Sequence, residues 1–108
     1  MYGTIASGRV KKDRLRDLMA LGKEWDAKER RRAVGYLSSE MLWSDAQDGR
    51  FMFVVRFLNK ERYVANAASP EQDAFYQKLR ECLDADPVWF DGEFGRWDDT
   101  YAKPPTLA

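Results

Sequence analysis

Two apolar runs separated by a short turn signal constrain the fold of this chain more than any other feature. They occupy residues 33–46 and 50–59, with Gln47-Asp48-Gly49 between them. Asp-Gly between apolar runs is typical of a β-hairpin, because both residues tolerate the positive φ angles of a tight turn. With Asp48 and Gly49 as the turn, the pattern predicts that Trp43 lies opposite Val54.

Both faces of this predicted hairpin are apolar at most positions. A sheet with one face in water alternates between apolar and polar residues instead. We therefore expect both faces of the sheet to be covered. The same register puts Glu40 and Arg56 on opposite faces, which argues against an ion pair between these two charges.

The segments before the hairpin predict one strand and one helix. Residues 2–10 combine β-branched and small residues and indicate a first strand. From Lys12 to about Arg32, apolar residues recur at intervals of three, four and seven, which predicts an amphipathic helix. We interpret Arg30-Arg31-Arg32 at its end as a solvated basic turn.

After the hairpin, a short helical stretch around residues 63–67 leads to a second main helix. Ser69 is a typical N-cap, Pro70 suits the first helical position, and Gln72 completes the spacing of a capping box. Asp86-Pro87 ends this helix. Residues 88–97 then indicate a final strand.

The resulting order β, α, β, β, α, β is that of ferredoxin-like α+β domains, with an antiparallel sheet and the helices on one face. Residues 1–97 are expected to form one domain, and 98–108, with Pro104-Pro105, an extended tail. An apolar second face needs another surface to cover it. The same face of a second copy is the simplest source, which predicts a homodimer.

Composition excludes several classes of function. The chain has no histidine, so no imidazole can serve as base or metal ligand. Its 18 Lys and Arg balance 18 Asp and Glu, which argues against binding nucleic acid or an anionic membrane through net charge. We find no Cys or His spacing typical of a metal site and expect no metal.

The location expected for the protein is the cytoplasm. Cys82 is the single cysteine, so no internal disulfide can form, as is usual in a reducing compartment. The N-terminus lacks the basic and apolar regions of a signal peptide. The longest aliphatic and aromatic run, residues 51–55, is far shorter than the roughly 18 residues that span a bilayer.

Turn and packing signals spread over residues 2–97 resemble the antibiotic-biosynthesis-monooxygenase-like domains of the dimeric α+β barrel class. The matching segments are Val34-Gly35-Tyr36-Leu37, Asp48-Gly49-Arg50-Phe51, the strand ending at Phe57, Asn59-Lys60-Glu61-Arg62-Tyr63, Asn66, Ser69-Pro70 and Phe75. The resemblance implies a ferredoxin-like protomer, a homodimer whose sheets form a barrel, and a ligand pocket between sheet and helices.

The chain also departs from this family. Phe57 stands where members usually have tryptophan, and Asn66 where they often have histidine. In the related haem-degrading enzymes a histidine near the position of Tyr76 binds the iron. Because this chain has no histidine, a tyrosinate from Tyr76 is the only haem ligand that the resemblance offers. We expect neither haem nor another cofactor.

The family's cofactor-independent branch oxidises electron-rich phenols or dihydroxy aromatics with O₂, and the substrate anion supplies the electron. The resemblance therefore implies a small monooxygenase acting on an aromatic or quinol-like molecule. The polar candidates for catalysis are Asn66, Tyr76 and Arg56, the first two from the resemblance alone. The aromatic candidates for substrate binding are Tyr36, Trp43, Phe57 and Trp89.

A second hypothesis keeps the fold without the chemistry. The missing tryptophan and histidine favour a ligand-binding or structural homodimer that is not catalytic. On this hypothesis the four tryptophans serve packing, because aromatic residues dominate protein cores and interfaces.

Overall fold

The computed structural model describes residues 1–98. Except for Asp98, the predicted tail over 98–108 lies outside the described residues. The elements in chain order are β1 (Tyr2–Arg9), α1 (Leu15–Glu24), a π-helical segment (Trp25–Glu29), β2 (Tyr36–Trp43), β3 (Arg50–Phe57), α2 (Lys60–Ala67), α3 (Pro70–Glu81) and β4 (Val88–Glu93).

The four strands form one antiparallel sheet in the order β2-β3-β1-β4. The order β, α, β, β, α, β and the α+β class predicted from the sequence are thus confirmed, with α2 and α3 together in the second helical position. Val10, Leu18 and Cys82 form a buried cluster between sheet and helices. The most buried large side chains are Phe57 and Leu83.

The register predicted for the hairpin is wrong by three residues. Trp43 pairs with Phe51 rather than Val54, and Glu40 pairs with Val54. The hairpin closes where the backbone N–H of Ser44 donates to the carbonyl of Arg50 at 3.0 Å, so the loop spans residues 45–49. Asp48-Gly49 is the end of this longer loop and not a two-residue turn.

Backbone geometry and hydrogen bonds fix the longer loop. Gln47 and Gly49 both have positive φ, 53° and 84°. The backbone N–H of Arg50 donates to the Asp48 carboxylate at 3.1 Å, and this bond contributes most to lowering the pKa of Asp48. Two left-handed residues and a side-chain acceptor therefore replace the tight turn that the dipeptide indicated.

An odd shift in register exchanges the residues that share a face. Glu40 and Arg56 lie on the same face and form an ion pair, so the prediction that they do not pair is also wrong. That face, which we call the open face, carries apolar side chains of all four strands: Ile5, Leu42, Met52, Val54, Val88 and Phe90. Leu42 and Phe90 are 69% and 76% exposed.

Several element ends differ from the predictions. The first helix begins at Leu15, and beyond Glu24 it continues as a π-helical segment in which Arg30 donates to the carbonyl of Trp25. β2 begins at Tyr36, after Gly35 with its φ of 87°. β4 ends at Glu93, because this residue pairs with Tyr2, the first residue of its neighbour β1.

The start of α3 confirms half of the predicted capping box. The Ser69 hydroxyl accepts from the backbone N–H of Gln72 at 3.1 Å, and Pro70 occupies the first turn. The backbone N–H of Ser69, however, donates to the carbonyl of Asn66 at 3.0 Å. The Gln72 side chain is therefore not needed at the cap and makes other contacts.

Within residues 1–98 no helix is long and apolar enough to cross a membrane.

Gly22 lies inside α1 without a positive φ, and an added Cβ would meet no atom within 4 Å. Gly22→Ala is therefore expected to stabilise the protein by about 1 kcal/mol, because glycine loses more backbone entropy in a helix than alanine does. Thermal unfolding followed by circular dichroism should show a midpoint several degrees higher.

Gly35→Ala is the matched control. With its φ of 87° and a Cβ that would lie 2.7 Å from the Arg62 Cβ, this variant should unfold at a lower temperature than the wild type. Equal midpoints for the two variants would contradict the backbone assignment.

Candidate functional site

A cavity of about 760 Å³ lies between the sheet and the helices. Its sheet wall includes Tyr36, Met41, Phe53, Phe57 and Trp89. Its helix wall includes Trp25, Tyr63, Phe75 and Tyr76. The walls are mainly aromatic and aliphatic, as in the binding sites of small molecules.

The alternation of β3 provides one wall of the cavity. Its odd-numbered residues, from Phe51 to Phe57, point toward the helices, because successive side chains of a strand point to opposite faces. The neighbouring strand β1 places small residues beside them: Thr4 pairs with Val55 and Ala6 with Phe53. Large side chains on β2, β3 and β4 and small ones on β1 leave the space between sheet and helices.

Aromatic rings follow one another along the cavity. The centroids of Trp25 and Tyr36 are 4.6 Å apart, those of Tyr36 and Phe57 are 5.8 Å apart, and those of Phe57 and Tyr63 are 5.7 Å apart. These tilted and edge-on pairs are the favoured arrangements of aromatic side chains. They fix the walls and leave ring surfaces against which a flat apolar molecule can pack.

Hydrogen-bonded polar side chains lie at the cavity, and three of them, Trp25, Asn66 and Gln72, line it. We call this set, Trp25, Arg32, Asn66 and Gln72, the polar corner. The indole N–H of Trp25 donates to Oε1 of Gln72 at 3.4 Å, and Nδ2 of Asn66 donates to the same oxygen at 3.3 Å. Arg32 donates to Oδ1 of Asn66 at 3.4 Å. The π-helical segment, α2 and α3 thus meet through side-chain hydrogen bonds.

Arg32 is also held from other sides. It donates to the Glu29 carboxylate at 2.8 Å and to the Ser69 hydroxyl at 3.2 Å. The interpretation of the basic turn as merely solvated is therefore incomplete, since Arg32 is 30% exposed and joins three elements. The sequence of a basic run does not indicate which of its side chains points toward the protein interior.

Five of the seven site residues predicted from the sequence meet at the cavity: Tyr36, Phe57, Asn66, Tyr76 and Trp89. Trp43 does not line it and packs against the buried cluster of Val10, Leu18 and Cys82. Gln72 was missed as a site residue, because its spacing from Ser69 indicated a capping box.

Arg56 lies on the open face, so the predicted catalytic group does not reach the cavity. It is paired with Glu40, and its guanidinium carbon is 4.8 Å from the centre of the Phe94 ring. The register predicted for the hairpin did not indicate whether the Arg56 side chain points toward the helices or away from them. The roles predicted for the other residues stay predictions.

Tyr63 is a hydrogen-bond donor at the cavity wall. Its hydroxyl donates to the Asp91 carboxylate at 3.1 Å. Burial, followed by the nearby Asp91 charge, raises the pKa of Tyr63 to about 12. The phenol is therefore neutral at physiological pH, and Tyr63 is not a phenolate base.

Two further kinds of chemistry find no support in the described region. Burial raises the pKa of the Cys82 thiol, which disfavours the reactive thiolate. No group of three or more Cys, Asp and Glu side chains within residues 1–98 is arranged to hold a metal ion.

The raised pKa of Tyr63 has a measurable consequence at high pH. The folded pKa of about 12 exceeds the ordinary value of 10, so the stability that the neutral phenol provides is complete below pH 10 and is lost as pH rises toward 12. The absorbance difference between wild type and Tyr63→Phe at 295 nm should titrate near pH 12 in the folded protein. In urea the same difference should titrate near pH 10, and a single midpoint in both conditions would contradict the burial of this phenol.

No protein-family model matches the sequence, and no curated protein matches it. Solved structures do match the fold. A conserved protein from Methanosarcina mazei Go1 has a TM-score of 0.72 at 15% identity, covering 84% of this chain and 89% of that chain. An antibiotic biosynthesis monooxygenase has a TM-score of 0.70 at 14% identity, covering 89% of this chain and all of that chain.

A variant of SnoaB, a cofactor-independent oxygenase from Streptomyces nogalater, has a TM-score of 0.68. Its identity is 12%, with 82% of this chain and 89% of that chain covered. At these identities the likeness concerns the fold. The fold class implied by the resemblance in the sequence is thereby confirmed: this chain has the fold of the antibiotic biosynthesis monooxygenase structures.

Proposed function

We propose that this protein is a small cofactor-independent monooxygenase that oxidises an electron-rich aromatic or quinol-like molecule. The observation that carries the proposal is the cavity of about 760 Å³, with aromatic walls and one polar corner. Its volume lies in the range of roughly 300–1,000 Å³ that is usual for sites of small molecules. SnoaB, which shares the fold, is described as a cofactor-independent oxygenase.

The reaction needs no reductant besides the substrate. A phenolate or enolate anion transfers one electron to O₂, and the resulting radical and superoxide combine to form a carbon–oxygen bond. Loss of water from the peroxide converts a ring CH₂ group into a carbonyl. One oxygen atom enters the product and the other enters water, so the four electrons lost by the substrate are those gained by O₂.

The protein's part is to bind, orient and exclude water. The aromatic walls pack against the ring, and removal of water strengthens the electrostatic interactions of the polar corner. Asp73 lines the cavity and is exposed, so it can pass the substrate's proton to solvent.

Ala67 and Ala65 provide a matched pair of variants for the test. Both are exposed residues of α2, but only Ala67 lines the cavity. Ala67→Trp should lower the kcat/KM for O₂ consumption by about tenfold or more, because the indole occupies substrate space. Ala65→Trp should leave it unchanged. The measurement is oxygen uptake with a panel of dihydroxynaphthalenes and anthrones, without added flavin or metal.

If no compound of the panel consumes oxygen, the second hypothesis of a ligand-binding protein is favoured. One observation supports that alternative. Arg56 lies on the open face, and the Asn66 amide already bonds to Arg32 and Gln72, so two predicted catalytic groups have other partners. Ligand binding without oxygen uptake would be its signature.

We also propose that two copies associate through the open face. Leu42, Met52, Val88 and Phe90 are between 45% and 76% exposed on this face, and soluble proteins rarely leave contiguous apolar patches of this kind uncovered. The Glu40–Arg56 pair lies among them.

Phe90→Glu should convert the dimer into a monomer, because each interface would bury an unpaired carboxylate. Light scattering coupled to size exclusion should show half the wild-type mass. Val64→Glu, at a residue of α2 that is 50% exposed, is the control and should keep the wild-type mass. A wild type of monomeric mass at micromolar concentration would refute the association.

A further inference from the structure

The polar corner has a donor-only group at each end. The indole N–H of Trp25 can only donate a hydrogen bond, and the guanidinium of Arg32 can only donate. Between them lie two side-chain amides, those of Asn66 and Gln72, each with one acceptor oxygen and one donor nitrogen. The order of contacts is Arg32, Asn66, Gln72 and Trp25.

These two ends determine the orientation of both amides. Arg32 requires an acceptor, so the Asn66 atom 3.4 Å away is Oδ1 and its Nδ2 points toward Gln72. Trp25 also requires an acceptor, so the Gln72 atom 3.4 Å away is Oε1. Turning either amide over would place two donors against each other. Their nitrogen and oxygen assignments are therefore fixed chemically.

One side-chain donor of the polar corner, Nε2 of Gln72, takes no part in these contacts. Nε2 of Gln72 points away from Trp25 and Asn66, and no hydrogen-bond partner for it is present within residues 1–98. No buried side-chain nitrogen or oxygen within residues 1–98 is without a hydrogen-bond partner. Nε2 of Gln72 is therefore accessible to solvent. Gln72 lines the cavity, and the cavity is where a partner for this nitrogen can bind.

The backbone and the side-chain oxygen of Gln72 are both held by hydrogen bonds. Gln72 lies in the first turn of α3, where its backbone N–H donates to the Ser69 hydroxyl at 3.1 Å. The Ser69 hydroxyl also accepts from Arg32. A donor whose orientation is fixed before binding loses little conformational entropy when the ligand arrives.

We propose that the amide nitrogen of Gln72 recognises an acceptor oxygen of the ligand, a ring carbonyl or a phenolate. Trp25, Arg32 and Asn66 are positioning residues that keep Gln72 in this orientation. The inference rests on the proposed function for the aromatic nature of the ligand and adds the group by which it is selected. It further implies that an aromatic without an acceptor oxygen binds less tightly, because the Gln72 donor then loses water without gaining a partner.

The test compares two flat tricyclic molecules of the same skeleton, 9-fluorenone with a carbonyl and fluorene without one. Dissociation constants are measured by quenching of tryptophan fluorescence under nitrogen, so that no oxidation occurs. The wild type should prefer 9-fluorenone by about tenfold, the value of one neutral hydrogen bond. Gln72→Met, which keeps the length of the side chain but lacks the donor, should bind both molecules equally.

Gln77→Met is the matched control. Gln77 is an exposed residue of the same helix that does not line the cavity, so this variant should keep the tenfold preference.

Gln72→Glu tests the chemistry separately from folding. Its carboxylate can still accept from Trp25 and Asn66 but presents an acceptor to the cavity, so the preference for the ketone should be lost. Trp25→Phe should weaken the preference, since Oε1 of Gln72 then keeps only the Asn66 donor and the amide is held less firmly.

The outcomes separate this inference from the proposed function. A preference that Gln72→Met abolishes supports the inference even if no aromatic compound consumes oxygen. A preference that survives in Gln72→Met overturns it even if the protein is an oxygenase. Equal binding of both probes by the wild type, or binding of neither, also overturns it.

Discussion

The pairing of β2 with β3 determines which side chains line the cavity and which lie on the open face. With Trp43 opposite Phe51, Met41 and Trp43 of β2 share the helix face with the aromatic residues of β3, and Glu40 shares the open face with Arg56. The five-residue loop before β3 fixes this pairing through two left-handed residues and the Asp48 carboxylate. Because β3 is also held by β1, a register different by an odd number would turn β2 over and put Glu40 and Leu42 among the helices.

The opposite wall of the cavity depends on Arg32. Through Glu29, Asn66 and Ser69, this guanidinium connects the end of the π-helical segment with the junction of α2 and α3. A partly buried charge is tolerated when it is paired and hydrogen-bonded, and Arg32 donates to the Glu29 carboxylate, the Ser69 hydroxyl and the Asn66 amide oxygen. The helix wall is thus joined by side-chain hydrogen bonds, whereas the strands of the sheet wall are joined by backbone hydrogen bonds.

Much of the fold followed from local signals. The order of elements, the N-cap at Ser69 and the apolar stripes depend on a few neighbouring residues and were predictable. The hairpin register was not, because Asp-Gly is compatible both with a two-residue turn and with the end of a longer loop. Arg56 was counted among the catalytic candidates, whereas the structure places it on the open face in an ion pair with Glu40.

The polar corner depends on contacts that are distant in sequence. Gln72 meets Trp25 across 47 positions and Arg32 meets Asn66 across 34. A capping box and a basic helix end were reasonable local interpretations of Gln72 and Arg32, and only tertiary packing assigns them elsewhere. The aromatic candidates were chosen by residue type, and three of the four line the cavity, whereas Trp43 packs against the buried cluster.

The small residues Thr4 and Ala6 on β1 have a consequence for the stability of the protein. Side chains this small, each 2% exposed, make fewer dispersion contacts than the larger residues usual in the middle of a sheet. A molecule that fits the cavity supplies the missing contacts and binds only the folded chain. Its binding free energy is then added to that of folding, so the thermal stability of the protein reports which compounds it accepts.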